Sequence, residues 1–342
     1  MKRTGRGRMP GGKRKVRSGR WRVVAIGGGT GLPVVLTGLK REIGNRIESL
    51  TAVVTVTDDG GSSGRLRDEL KMLPPGDIRN CLVALAEVEP LMSRLFQYRF
   101  RGEGGLAGHS FGNLFLAALA QVTGDFLSAI QVSAKVLAVK GTILPSTLDN
   151  VRLGVEGADG SVVIGEEKLA EVPKPIRRVF LDPAECRPLP DLLEAIDRAH
   201  LVVLGPGSLL SSVIPNLLVQ GVADALRSSA ALKVFVSNLM TEPRETDGFS
   251  LADQVAALVE HAGPGVVDGV LVNSRPLAER VLARYRAAGS APTRIDYDRV
   301  VQWGVRIHEA DVLAPADKVR HHPQRLGQAL LELLDRDAEK GP

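Results

Sequence analysis

Four glycines between an apolar segment and a predicted helix are the first residues of this sequence that suggest chemistry. The stretch VVAIGGGTGLP places Gly28, Gly29, Thr30 and Gly31 after the apolar residues 23–26 and before a Leu-Pro pair suited to a helix start. Glycine permits a positive φ angle and close approach of a ligand to the backbone, and a helix start attracts anions. We therefore expect a phosphate cradle here, with a tight strand-to-helix turn as the alternative.

A pair of aspartates follows the second predicted strand, in TDDGGSSGRLRDEL. Asp58 and Asp59 come where that strand ends, and open α/β sheets bind ligands at this edge. Paired carboxylates there are suited to a sugar hydroxyl or to a divalent ion such as Mg²⁺ that bridges phosphates. The alternative is that Asp59 or Ser62 caps the next helix. Ser63 and Arg65 join the ligand-binding candidates, although Arg65 also fits a solvated helix face. No defined metal site is predicted.

Two similar motifs, LPPGDIRNCL and GHSFGNLFLAAL, place glycine and a short polar side chain at the start of an apolar helix. Asn80 and Asn113 are candidate ligand-binding residues within them. The alternative is that Asp77, Asn80, Ser110 and Asn113 all serve only as helix caps. His109 has a side chain that can act as an acid or base, but we expect it to be a hydrogen-bonded structural residue.

Two later polar loops also follow apolar segments. VVLGPGSLLSS repeats the order of strand, glycines and helix and supplies Gly207 and Ser208, whereas FVSNLMTEPRETDG supplies Asn238, Thr241 and Glu242. With the first glycine loop, the sequence therefore has two helix starts ready for an anion. We expect a diphosphate to lie between them.

The segments that must position these loops are apolar and continuous. RVVAI, LTAVVTVT, HLVVLG, LKVFVSN and VDGVLVN lack the alternation of a half-exposed strand, which is typical of buried parallel strands. Helical patterns separate them, so we predict a doubly wound, Rossmann-like α/β fold with a mostly parallel sheet. The chain from 23 to 336 is expected to form one domain. It carries insertions over about 76–180, namely a helical part and a β-hairpin around Ala158-Asp159-Gly160.

Charge is distributed unevenly along the 342 residues. The net charge is +5, yet residues 1–22 contain ten Lys or Arg and no acid, leaving 34 basic against 39 acidic residues elsewhere. We expect residues 1–22 to be a disordered basic tail that is simply solvated, with contact of this tail with nucleic acid or anionic lipid as the alternative. Cys81 and Cys186 are too few for a disulfide framework, and no apolar run reaches the length of a membrane span. We expect a cytoplasmic protein.

Six motifs taken together carry a family resemblance. In chain order they are IGGGTGLPVVLTGLK, VTVTDDGGSSGRLR, PPGDIRNCL, GHSFGNL, LGPGSLLSSVIPNLLV and SNLMTEPRETDGFS. From Val23 to about Leu334 the chain resembles the bacterial gluconeogenesis-factor family, whose superfamily includes the 2-phospho-lactate transferase of deazaflavin-coenzyme synthesis. The resemblance implies a three-layer Rossmann-like fold, a cytoplasmic location, and a role in cell shape and peptidoglycan supply during gluconeogenic growth. It also implies binding of UDP-sugars, notably UDP-N-acetylglucosamine.

The same resemblance directs attention to two residues of the C-terminal part. Tyr285, in RVLARYRAAG, is suited to stack on a pyrimidine ring, and Arg320, in DKVRHHP, is suited to bind a diphosphate. Without the resemblance, both would be interpreted as ordinary helix residues.

Two functions from different classes fit these motifs. One is a non-catalytic UDP-sugar-binding regulatory factor that acts on an unidentified protein partner and is compatible with a homo-oligomer. The other is a transferase that moves a phospholactyl-type group from a nucleotide diphosphate to a deazaflavin acceptor. The sequence shows no nucleophile–base pair, which favours binding over catalysis. The glycine spacing fits neither a Walker loop nor the dinucleotide fingerprint, which disfavours an NAD-dependent enzyme.

Overall fold

A central parallel sheet organises the protein, whose computed structural model describes residues 20–88, 90–172, 175–315 and 318–339. The strands are β1 (Trp21–Gly27), β2 (Ile47–Val54), β3 (Thr142–Pro145), β4 (Arg152–Gly157), β5 (Val162–Ile164), β6 (Ile176–Asp182), β7 (Leu201–Leu204), β8 (Leu232–Val236), β9 (Gly269–Asn273) and β10 (Arg306–Ala310). Seven of them form the central sheet in the order β10-β9-β8-β7-β1-β2-β3. Every neighbouring pair in this sheet is parallel, so the predicted fold class is confirmed.

Helices on both faces of the sheet complete the three layers. They are α1 (Leu32–Lys40), α2 (Gly61–Leu70), α3 (Gly76–Leu85), α4 (Pro90–Gln97), α5 (Phe111–Thr123), α6 (Phe126–Val136), α7 (Pro190–Arg198), α8 (Ile214–Leu218), α9 (Val222–Ser228), α10 (Leu251–Ala262), α11 (Glu279–Ala287), α12 (Tyr297–Val301) and α13 (Pro323–Glu339). A 3₁₀ helix spans Glu166–Glu171, and one π-helical turn, Leu209–Val213, leads into α8. Among these described helices none is long and apolar enough to cross a membrane alone, although Leu209–Leu218 and Val222–Ser228, bent by 81°, qualify together on length and composition.

The middle strands are buried because their side chains are apolar on both faces. Residues 23–26 of β1 and all of β7 lie in the hydrophobic core. The chain order reverses between these two strands, since β2 and β3 lie on one side of β1 whereas β7 to β10 lie on the other. Loops leaving β1 and β7 therefore diverge at their carboxyl ends and open a crevice between them.

A separate antiparallel sheet, in the order β5-β4-β6, contains the predicted hairpin. β4 pairs with β5 across the predicted turn, and β6 is a third strand that the sequence pattern did not reveal. The predicted hairpin therefore forms part of a sheet of its own. β3, which lies inside the predicted insertion, joins the central sheet beside β2.

The first strand begins earlier than the sequence indicated. Trp21 and Arg22 belong to β1, which corrects the predicted tail boundary at residue 22. The Trp21 indole N–H donates to Asp335, and its ring meets His200 edge to face. The backbone N–H of Arg22 donates to the His200 ring at 3.0 Å. Aromatic packing and hydrogen bonds thus extend β1, whereas the predicted tail up to residue 19 lies outside the described residues.

Candidate functional site

A cavity of about 420 Å³ opens at the carboxyl ends of the central strands, where the loops after β1, β7 and β8 meet. Parts of α11 and of the segment before α13 close its far side. The lining residues are Gly29, Thr30, Gly31, Val34, Pro206, Gly207, Ser208, Asn238, Leu239, Met240, Thr241, Glu242, Pro243, Tyr285, Ala288, Ser290, Val319, Arg320 and His321. The fold thus brings half of the fourteen other predicted ligand-binding residues together with Tyr285 and Arg320.

The two glycine loops pack backbone against backbone. A Cβ atom on Gly31 would lie 2.1 Å from the carbonyl oxygen of Pro206, so only glycine fits at this contact. Gly29 has φ +61°, which other residues rarely adopt. These two constraints explain why the first loop is so rich in glycine, and they place its backbone directly on the cavity.

Two side chains of α3 hold the peptide groups of Gly29. Its backbone N–H donates to Asp77 Oδ2 at 2.7 Å, and the Asn80 side-chain amide donates to its carbonyl oxygen at 3.4 Å. Burial raises the pKa of Asp77 to about 6, against the lowering effect of the Gly29 N–H. The Gly29 amide is therefore already bonded within the protein. Among the described residues, no acceptor binds the N–H groups of Thr30 and Gly31, which remain for an anion.

A buried glutamate side chain binds the backbone amides that follow the second glycine loop. Glu245 Oε1 accepts hydrogen bonds from the N–H groups of Leu210 at 2.7 Å and Ser211 at 3.3 Å, at the start of the helical segment 209–218. Ser208 donates its hydroxyl to Glu242, whose backbone carbonyl oxygen accepts the Glu245 N–H at 3.1 Å. Burial raises the pKa of Glu245 to about 8 and also raises that of Glu242. The prediction of two open helix starts is corrected, because a buried carboxyl group occupies this one.

Asn238 and Thr241 position loops of the cavity wall. The Asn238 side-chain amide donates to the Gly207 carbonyl oxygen at 2.8 Å and accepts from the Gly207 N–H at 3.2 Å. Thr241 Oγ1 accepts from the Ala291 N–H at 2.9 Å, and its carbonyl oxygen accepts from the Ser290 hydroxyl at 2.6 Å. Both predicted residues lie at the cavity while their main bonds hold the backbone in place.

The C-terminal wall contains both residues singled out by the family resemblance. Tyr285 accepts a hydrogen bond at its hydroxyl from the Val319 N–H at 3.0 Å, which ties α11 to the segment that carries Arg320. Arg320 is exposed, and no hydrogen bond or ion pair joins its guanidinium to another described side chain. His321, which the sequence analysis missed, lines the same wall with its Nε2 buried and unpartnered. Burial lowers the pKa of His321 to about 4.

The predicted aspartate pair lies outside this cavity. Asp58 Oδ1 accepts from the Gly60 N–H at 3.0 Å and bonds the Ser63 side chain, and burial raises the pKa of Asp58. Asp59 Oδ1 accepts from the Glu167 N–H at 3.1 Å, at the start of the 3₁₀ helix. Within the described part of the chain, no group of three or more His, Cys, Asp or Glu side chains is arranged to hold a metal ion. One oxygen of each aspartate therefore holds a backbone N–H group.

Arg65 and Asn113 also lie away from the cavity. Arg65 donates to the Ala107 carbonyl oxygen at 2.7 Å and lines a second, open cleft of about 670 Å³ beside α2. Asn113 belongs to a buried polar network with Arg79, Ser62 and His109, in which the bond from Ser62 to the His109 ring is 3.0 Å. The two similar motifs are thus joined directly, and Gly28 packs against Asp77 at the same end of α3.

The sequence identifies the glycine loops well, but it does not identify the buried carboxyl groups that accept hydrogen bonds from the loop amides. Asp77 was interpreted as a cap, and Glu245 was not singled out, because their acceptor roles depend on amides far away in the sequence. The motif PPGDIRN contained the signal for Asp77, since an acid and an amide three residues apart lie on one face of a helix. Nothing in the sequence around Glu245 distinguishes it from Glu242.

Comparison with known proteins agrees with this architecture. Residues 23–313 match the family described as 2-phospho-L-lactate transferase CofD. The gluconeogenesis factor of Halalkalibacterium halodurans is 47% identical over 311 residues, which cover 91% of this chain and 95% of the relative. The gluconeogenesis factor of Bacillus subtilis is 44% identical over 314 residues, which cover 92% and 98%.

A solved structure extends the match to three dimensions. The crystal structure of a UPF0052 family member from Bacillus halodurans superimposes with a TM-score of 0.88 at 46% sequence identity, covering 91% of this chain and 99% of the other. Sequence and fold therefore agree over about nine tenths of this chain. The chain therefore belongs to the CofD family and, within it, to the gluconeogenesis factors.

Proposed function

We propose that this protein is a cytoplasmic regulatory factor that binds a UDP-sugar, UDP-N-acetylglucosamine in the first place, in the cavity between the glycine loops and the C-terminal wall. In this role it links the supply of peptidoglycan precursors and cell shape to gluconeogenic growth through an unidentified protein partner. The relatives named gluconeogenesis factor support the general role. The choice of ligand rests on the chemistry of the cavity.

One observation carries the proposal: a single cavity joins free helix-start amides, an arginine and a tyrosine. The N–H groups of Thr30 and Gly31 and the guanidinium of Arg320 are donors for a diphosphate. Tyr285 offers a ring face for uracil on the same wall. The volume of about 420 Å³ falls in the range of small-molecule sites.

The second candidate function is transfer of a phospholactyl-type group from a nucleotide diphosphate to a deazaflavin acceptor. The family description favours it, because the matching family is named for such a transferase. The carboxylates proposed for its metal, Asp58 and Asp59, are engaged by the backbone N–H groups of Gly60 and Glu167. The contact between Ser208 and Glu242 is the nearest arrangement to a nucleophile with a base.

Titration calorimetry separates these functions. We expect UDP-N-acetylglucosamine to bind at one site per chain with equal affinity in Mg²⁺ and in EDTA, whereas GDP and NAD bind at least tenfold more weakly. Binding that requires Mg²⁺ and prefers GDP would contradict the regulatory proposal and favour the transferase. A uridine control completes the set, because uridine lacks the diphosphate and should lose most of the affinity.

A further inference from the structure

His321 has a buried ring nitrogen that no described group of the protein bonds. The side chain lines the cavity, the residue is 8% exposed, and its Nε2 has no hydrogen-bond partner among the described residues. Burying a polar atom without a partner costs stability, so such atoms are rare in folded proteins. On the wall of a cavity, an atom of this kind needs a partner from outside the chain.

Other polar side chains on the cavity wall already have partners within the protein. Asn238 bonds both the N–H and the carbonyl oxygen of Gly207, and the Thr241 hydroxyl oxygen accepts from the Ala291 N–H. Five buried side-chain nitrogen or oxygen atoms lack a partner in the described part of the chain, and among them only His321 Nε2 lies on this cavity. The cavity therefore offers a ligand one buried side-chain atom whose hydrogen bond is unmade.

The backbone around His321 is fixed before any ligand binds. The carbonyl oxygen of Arg320 accepts from the Ala314 N–H at 2.9 Å, and the N–H of His322 donates to the Val312 carbonyl oxygen at 2.7 Å. Burial restricts the ring itself. A group that is already held in place loses little freedom on binding, so it can discriminate between ligands by hydrogen-bond geometry.

The neutral ring presents Nε2 as an acceptor. A neutral imidazole has one N–H donor and one acceptor nitrogen. The ring bonds the Ser237 backbone, and the Ser237 N–H is already donated to the Leu271 carbonyl oxygen at 3.1 Å. The ring therefore donates its one N–H to the Ser237 carbonyl oxygen, which leaves a lone pair on Nε2.

We propose that His321 Nε2 accepts a hydrogen bond from the N3–H of uracil and thereby selects uracil over cytosine in this cavity. This inference rests on the proposed function, because it names the residue that recognises the base at the same site. Tyr285, whose ring stacks on the base, is bonded through its hydroxyl to the Val319 N–H at 3.0 Å, two residues before His321. A base on the Tyr285 ring thus has its edge beside His321.

The choice of base follows from the lone pair on Nε2. Uracil carries an N–H donor at position 3, whereas cytosine carries a second lone pair there. Cytosine would leave His321 Nε2 buried without a partner and would oppose two lone pairs. A site built around a hydrogen bond strongly rejects an analogue that lacks it, because the buried group of the site is then unpaired.

The experiment changes only the edge of the base. Titration calorimetry compares UDP-N-acetylglucosamine with its cytidine and N3-methyluridine counterparts, which keep the diphosphate and the sugar. We expect both counterparts to bind wild type at least about tenfold more weakly. In His321→Phe, the uridine and cytidine ligands should agree within about threefold. His322→Phe, at the neighbouring position that does not line the cavity, is the matched control and should keep the preference for uridine.

A second measurement needs no variant. With ¹⁵N-labelled histidine and ¹⁵N-labelled uracil, an NMR scalar coupling across the hydrogen bond should join uracil N3 to a histidine Nε2 in the wild-type complex. His321 is the one histidine among the described residues that lines the cavity, so this coupling identifies it. Its absence from the saturated complex would overturn the inference even where His321→Phe does not fold.

The outcomes separate this inference from the proposed function. If wild type binds the cytidine or N3-methyluridine ligand as tightly as UDP-N-acetylglucosamine, the inference is wrong and the UDP-sugar site remains. A preference for uridine that persists unchanged in His321→Phe would also overturn the inference alone. If UDP-N-acetylglucosamine does not bind wild type, the proposed function and the inference fail together.

Discussion

Asp77 and Gly29 are joined by a hydrogen bond of 2.7 Å from the glycine N–H to the buried carboxyl group. This bond places the start of α3 beside the first glycine loop, and Asn80, three residues further along α3, donates to the Gly29 carbonyl oxygen. The loop is therefore fixed before any ligand arrives. A preformed loop loses less conformational freedom on binding than a mobile one, which favours affinity.

The first prediction concerns Gly29→Val, which should weaken UDP-sugar binding at least tenfold while the protein stays folded. A branched residue at φ +61° is strained by about 1–2 kcal/mol and places a side chain where the backbone meets the cavity. Gly44→Val is the matched control, because Gly44 also has a positive φ, at +89°, but no atom within 4 Å of a Cβ and no place at the cavity. Calorimetry and thermal melts of both variants check the expectation. Equal affinity of the two would remove the first loop from the site.

The second prediction distinguishes an acceptor role of Asp77 from a charge or metal role. Asp77→Asn keeps an oxygen for the Gly29 N–H, so affinity should stay within about threefold of wild type. Asp77→Ala leaves that N–H without its partner, which should cost about 1–3 kcal/mol of unfolding free energy and most of the affinity. Denaturant melts and calorimetry measure the two effects. An asparagine variant as damaged as the alanine variant would show that the charge itself is needed.

The third prediction concerns Arg320. Arg320→Ala should cost about 1.5–3 kcal/mol of binding free energy, the usual range for a hydrogen bond to a charged group. Arg320→Lys should recover only part of this, because lysine cannot reproduce the bidentate fork of a guanidinium. Neither change should alter the melting temperature, since the side chain is exposed. The exposed Arg101 supplies an arginine-to-alanine control away from the cavity. An unchanged affinity for UDP-N-acetylglucosamine in Arg320→Ala would place the diphosphate elsewhere.

The glycine loops show how far the sequence alone leads. Apolar runs before Gly28 and Gly205 are strong local signals, and the rule for open parallel sheets places both loops at one crevice. The buried carboxyl groups that bind the loop amides, those of Asp77 and Glu245, cannot be predicted in the same way. Glu245 meets the amides of Leu210 and Ser211 only because the loop after β8 folds back over β7, which local sequence does not encode.

The aspartate pair shows a contact that the sequence does not predict. The position of the pair after β2 predicts a ligand role. In the structure, Asp59 Oδ1 accepts a hydrogen bond from the backbone N–H of Glu167, in the 3₁₀ helix. A long-range backbone partner of this kind depends on where the 3₁₀ helix docks, and no periodicity in the sequence reports that. The short strands β3 and β10 escaped prediction for a related reason, since an edge strand needs little apolar sequence to pair.

The fourth prediction follows from the burial of His321. Its folded-state pKa is lowered to about 4 by desolvation, below the usual value near 6.5, so the unfolded chain binds the proton first as pH falls. Stability contributed by the neutral ring is therefore complete above pH 6.5 and is lost as pH falls toward 4. Between pH 7 and pH 5 this site alone should remove about 2 kcal/mol from the unfolding free energy.

His321→Gln tests this prediction, because glutamine does not titrate and can still bond the Ser237 backbone, which the His321 ring bonds in the wild-type protein. The wild-type protein should lose about 2 kcal/mol more than the variant between pH 7 and pH 5, measured by denaturant melts. Other titrating groups, such as Asp77 and His261, are present in both proteins and cancel in the comparison. His322→Gln, at the less buried neighbouring position, should follow the wild-type profile. If the unfolding free energies of wild type and His321→Gln change equally with pH, the folded-state pKa of His321 is close to its ordinary value. The cavity wall around its Nε2 would then admit water.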